Sequence, residues 1–107
     1  MTAFEDRERA FENKFARDEE VQFRITARRN KLLGHWAADK MGLTAEEKDA
    51  YGKSVVQADF EEAGDEDVLR KVLGDLTSAG IECDADTVRA AMDDLMVEAR
   101  RQLMDEA

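Results

Sequence analysis

Proline is absent from this chain, and cysteine, histidine, tryptophan and tyrosine occur once each. With no proline and 39% charged residues, the composition points to long solvated helices. The lone Cys83 excludes an internal disulfide and fits a reducing compartment. The lone His35 excludes histidine-based metal clusters and leaves most nucleophile–histidine schemes dependent on one residue. No apolar run is long enough to span a bilayer, and the charged N-terminus lacks the apolar segment of a signal peptide. No stretch alternates apolar and polar residues over strand length, so the expected class is all-α. Neither glycine-rich phosphate cradle, that of the P-loop nor that of the dinucleotide fold, is present.

What the chain has in excess is acid. The net charge is −10, and it is unevenly placed. Residues 1–35 hold eight Lys/Arg against seven Asp/Glu; residues 36–107 hold eight against nineteen. The acidic total argues against nucleic acid, whose phosphates need clustered cations. It also argues against anionic membrane surfaces and direct membrane insertion. The 107 residues suffice for one domain with a modest core, and the asymmetry suggests two regions with different work.

The apolar residues divide the chain in the same way. Phe4, Phe11 and Phe15 are spaced for one helix face, and everything between them is charged, polar or small. The rhythm fails at Asp18, Glu19 and Gln22 and resumes with Ile25, Leu32 and Trp36, with Leu33 alongside. This predicts an arm over residues 1–17 and a bundle over 18–107, with helices at about 20–41, 44–63, 65–78 and 85–105. Gly42 is placed to end the first helix with a left-handed residue. Thr44 and Glu47 form a capping-box pair. Tyr51, Val55, Val56, Ala58 and Phe60 supply the next buried face. Gly64 or Asp65 caps the third helix, whose Val68, Leu69, Val72, Leu73 and Leu76 give the cleanest amphipathic pattern. Asp84 or Asp86 caps the last, which buries Val88, Ala91, Met92, Leu95, Ala99 and Leu103. Met92 and Met96 read as core filler.

No catalytic constellation stands out, so an enzyme is not expected. Cys83 lies between Glu82 and Asp84, whose charges disfavour the thiolate. His35 reads as a boundary residue beside Trp36. The acids at 59, 61, 62 and 65–67 lack the ligand spacing of a calcium loop and suit helix ends instead. No metal or cofactor is expected. One basic group does stand out: Arg24, Arg28, Arg29 and Lys31 lie in an acid-free stretch from 21 to 35. They suit a secondary contact or an anion site, and so an alternative function as a nucleotide- or anion-binding module. The opposing reading is that they pair with the bundle's own acids.

The arm likewise has two readings. It folds back as a further wall of the bundle, or it is mobile when free and helical when bound. An isolated helix of this length is marginal in water. Docking its phenylalanine face into a groove supplies the missing stabilisation.

Three blocks carry a resemblance. Residues 4–20, FEDRERAFENKFARDEE, 27–39, ARRNKLLGHWAAD, and 59–71, DFEEAGDEDVLRK, resemble the zeta subunit of α-proteobacterial F-type ATP synthases. The resemblance covers nearly the whole chain and is weakest around 77–87. It implies a four-helix, non-catalytic inhibitor of ATP hydrolysis. It further implies that the N-terminal segment wedges into a catalytic α/β interface near the γ stalk. The partners so implied are the α, β and γ subunits. The expected location is cytoplasmic, peripheral to the inner membrane when bound, and the free protein is expected to be monomeric. The matching arm positions are Phe4, Glu5, Arg7, Arg9, Phe11, Lys14, Phe15 and Arg17.

Overall fold

A computed structural model describes the backbone of residues 3–61 and 64–106, and the side-chain surroundings of residues 18–60 and 64–106. The described residues form four helices: α1 over Ala3–Met41, α2 over Ala45–Glu61, α3 over Asp65–Ser78 and α4 over Ala85–Glu106. Together they make the all-α four-helix fold expected from the sequence. α1 packs most extensively on α2 and then on α4.

The first helix differs from expectation. It runs without a break through residues 17–20, where the apolar stripe fails. The reason is local: Arg17, Asp18, Glu19 and Glu20 offer no apolar face, but nothing in them interrupts i→i−4 hydrogen bonding. A change of side-chain chemistry is therefore not a change of backbone. At 39 residues α1 is about 58 Å long at 1.5 Å per residue, well beyond the reach of α2 or α4.

The helix ends follow from their residues. Gly42 takes φ 72°, and Leu43 N–H donates to Ala38 C=O at 3.1 Å, closing α1. Thr44 and Glu47 exchange hydrogen bonds of 2.9 and 3.2 Å. This holds the Glu47 carboxyl below its ordinary range, chiefly through the Thr44 N–H. Gly64 precedes α3 at φ 112° without a side-chain cap. Asp84, rather than Asp86, caps α4: its carboxylate accepts from Thr87 N–H and Thr87 Oγ1, each at 2.8 Å.

The core is assembled from all four helices. Leu33 and Ala37 of α1, Val55 of α2, Val68, Val72 and Leu76 of α3, and Val88 and Met92 of α4 form one buried cluster. Each large member contributes about 1.5–3 kcal/mol by leaving water. Leu33 is fully buried and Leu32 only half so, which rotates the α1 stripe slightly from the expected one. Phe60 is a correction: expected on the buried face of α2, it is 57% exposed. It falls in the last turn of α2, where its ring meets the half-exposed Phe23 rather than the core cluster.

α1 and α2 approach closely at glycines. A β-carbon on Gly34 would stand 2.6 Å from the Gly52 Cα. Two backbones meet there with no side chain between them, bringing His35 against Gly52.

Candidate functional site

The eight arm positions, Phe4 to Arg17, are carried on the backbone of α1. Their side chains lie outside the described residues. The described surface begins at the next residue, Asp18, and its chemistry follows from how α1 packs on α2 and α4.

Ile25 turns inward and is buried, whereas Val21 and Phe23 are about half exposed. Phe23 meets Phe60 of α2 with ring centroids 5.3 Å apart and planes tilted by 44°. On the other side of α1, the end of α4 brings Leu103 and Met104 beside Val21 and Ile25, forming an apolar groove of about 330 Å³. Met104 is 78% exposed. The start of the described α1 surface therefore carries an apolar shoulder with a groove on each flank.

The four basic residues singled out from the sequence do not converge. Arg24 reaches back one turn to Glu20 at 3.0 Å, with both side chains well exposed. Arg28 crosses to α4, donating to Gln102 Oε1 at 2.9 Å and pairing with Glu106 at 3.0 Å. Gln102 in turn donates to Glu98 Oε1, which also accepts from Arg101. Arg101 first and Gln102 second hold the exposed Glu98 carboxyl down to about 2. Arg29 is almost wholly buried. Its Nε donates to Asn30 Oδ1 at 2.9 Å and its Nη2 to Asp65 Oδ1 at 2.8 Å. Lys31 is exposed. Three of the four are thus bound to the chain's own acids, and no shared anion cradle is formed among the described residues.

His35 is half-buried at the α1–α2 contact, its Nε2 3.8 Å from Asp49 Oδ1, beyond hydrogen-bond reach. Burial first, then the charges of Lys48 and Lys31, lowers its pKa; Asp49 and Asp39 act in the opposite sense. Tyr51 donates to Asp75 Oδ2 at 2.7 Å. Burial and that carboxylate push its hydroxyl far above the ordinary range. Cys83 is half-buried in the α3–α4 loop, and its thiol faces the Asp84 carbonyl at 3.7 Å. No three His, Cys, Asp or Glu side chains gather as metal ligands among the described residues.

Sequence reasoning missed two features. The shoulder was one, although Val21 and Phe23 stand off the Ile25–Leu32–Trp36 stripe and so carried a signal. The burial of Arg29 and Asn30 was the other, and nothing in their neighbours announced it.

Comparison with known proteins bears on the whole surface. The family model for ATPase inhibitor subunit zeta matches residues 1–102. A protein with a solution NMR structure is 52% identical, with a TM-score of 0.72; the match covers 81% of this chain and 99% of that one. No curated protein matches.

Proposed function

This chain belongs to the ATPase inhibitor subunit zeta family, and from that premise we propose that residues 1–17 of α1 are its inhibitory arm. The family makes it a regulatory subunit acting on an ATP synthase. The finer reading concerns how it acts. The arm enters a catalytic α/β interface near the γ stalk and blocks rotation in the hydrolytic direction. Phe4, Phe11 and Phe15 supply the apolar anchors, and Glu5, Arg7, Arg9, Lys14 and Arg17 set register against the α, β and γ surfaces.

The observation that carries this reading is the continuity of α1. One helix holds both the phenylalanine-bearing residues and the core residues Ile25, Leu33 and Ala37. A wedge on such a helix is coupled to a folded body that limits how far it inserts. A rotor cycles its interfaces through open and closed shapes. A helix that binds one shape better than the others shifts the population toward a stalled state. No helix among the described residues is long and apolar enough to cross a membrane. The ligand-module alternative has less support, because Arg24, Arg28 and Arg29 are each bound to an internal carboxylate.

The test is ATP hydrolysis by the purified synthase head with the full chain and with Phe11→Ala/Phe15→Ala. The expected result is inhibition by the first and none by the second, with equal helicity and melting temperature. Equal inhibition by both overturns the arm reading.

A further inference from the structure

Among the described residues, exposed apolar side chains that the core does not use flank α1 on both sides immediately beyond the arm. Val21, Phe23, Phe60 and Met104 are 46 to 78% exposed, and three helices bring them to one end of the bundle. An exposed aromatic pair beside an open groove is costly to leave in water and signals a contact surface.

Two observations say what covers it. The first is position. Val21 follows Arg17 by a single helical turn, about 6 Å along the axis, and α1 is unbroken between them. Whatever grips residues 1–17 therefore presents its adjoining surface to the shoulder. The second is charge. The chain is strongly acidic, yet two cations on the rim of the shoulder, Lys31 and Arg100, make no ion pair among the described residues. Arg100 borders the groove beside Met104 and Lys31 the groove beside Phe23; Arg24 and Arg28 lie between them, already matched by Glu20 and Glu106. Arg100 is exposed and makes no ion pair among the described residues. A surface of this kind fits an apolar patch edged by carboxylates.

We propose that this shoulder is a second docking surface of the inhibitor, seated on an apolar, carboxylate-rimmed surface of the synthase head next to the site that takes the arm. This rests on the arm reading for its location and assigns a separate task. The arm stalls the rotor; the shoulder sets how tightly and how quickly the inhibitor is held there. Apolar burial by Phe23 and Met104 slows dissociation, and the unmatched charges of Lys31 and Arg100 speed encounter in a salt-dependent way.

The experiment uses the full chain and the purified synthase head. Binding and inhibition are titrated separately for the parent, the arm variant Phe11→Ala/Phe15→Ala, and a shoulder variant Phe23→Ser/Met104→Ser. A fourth chain carries Arg100→Glu. Both shoulder positions are at least half exposed, so the fold should survive their change, and circular dichroism checks this. The expected result is that the shoulder variant reaches the parent's maximal inhibition but needs at least tenfold more protein. Arg100→Glu should slow association most at low salt. The arm variant should still bind weakly without inhibiting. Weak binding by the arm variant with no inhibition by the parent would sink the arm reading and leave the shoulder standing. Identical titrations for parent and shoulder variant overturn the shoulder proposal. So does sedimentation showing a dimer that the shoulder variant abolishes, which would make a second copy the occupant. So do Val21 and Met104 methyl signals that shift in the free arm variant, which would make residues 1–17 the occupant.

Discussion

Arg29 and Asp65 are joined at 2.8 Å by an ion pair whose guanidinium side is 2% exposed and whose carboxylate side is 63% exposed. The asymmetry decides which partner matters. Water can replace the carboxylate but cannot reach most of the guanidinium. Arg29 is also the donor to buried Asn30 Oδ1. Arg29→Met should therefore lower stability by about 1–3 kcal/mol, because the Asn30 oxygen loses its donor. Arg29→Met with Asn30→Leu should recover most of that loss, since it also removes an amide nitrogen with no partner among the described residues. Asp65→Asn should cost less, at most about 1 kcal/mol. Urea melts of the three variants check the order. The hydrogen bond from Arg29 also holds the Asp65 carboxyl below its ordinary range. Its contribution is therefore present above the unfolded carboxylate pKa and lost as pH falls through the lower folded one.

Two glycine-to-alanine changes should act in opposite directions. Gly34→Ala places a methyl 2.6 Å from the Gly52 Cα, so α1 and α2 must separate. The gain in helix propensity is outweighed, and a loss of about 1–3 kcal/mol is expected. Gly74 lies within α3 with nothing within 4 Å of a β-carbon. There the alanine should stabilise by about 0.5–1 kcal/mol. Thermal melts of the pair, with Gly34→Ala falling and Gly74→Ala rising, check the close crossing of α1 and α2.

Tyr51 should not ionise in the folded protein at its ordinary pH. Its hydroxyl is half-buried and donates to a carboxylate, so its folded pKa lies well above 10. The stabilisation is present below the unfolded pKa near 10 and declines as pH rises above it. In an alkaline titration, tyrosinate absorbance should appear together with the loss of helicity. A simple transition near pH 10 in a folded chain would contradict the Tyr51–Asp75 contact. The chain's single tyrosine makes the signal unambiguous.

His35 should titrate below 6.5 in the folded state, for burial and two lysines disfavour its charged form. The unfolded chain then takes up the proton first. Stability is complete above the unfolded pKa and falls as pH drops through 6.5 toward the lower folded value. The single histidine C–H signal in an NMR titration gives the midpoint directly. Its neutral form also suits the tight contact with Gly52, where a charged ring would have Asp49 in view but not in bonding range.

The helices themselves were readable from residue pattern. Periodicity in α3 and α4, the Thr44–Glu47 pair and the glycine at 42 each act within a few residues, so sequence spacing is enough to locate them. Two features escape that spacing. The apolar stripe that fails at 18–20 changes the chemistry along α1 without ending the helix, because helical hydrogen bonding does not require an apolar face. Phe60 follows the period of the buried side of α2, yet it meets the half-exposed Phe23 rather than the core and stays exposed.

The sequence alone determined the helical class, the caps, the polarity of charge along the chain and the family resemblance carried by the phenylalanine-bearing N-terminus. These depend on neighbours three or four residues apart, or on composition. Only the tertiary structure decided which arginine is buried, that Gly34 and Gly52 bring two backbones together, and that Phe23 meets Phe60 on one side of α1 while Val21 meets Met104 on the other. Those features depend on residues far apart in the chain being brought to one place, and packing geometry, not periodicity, selects which of them meet.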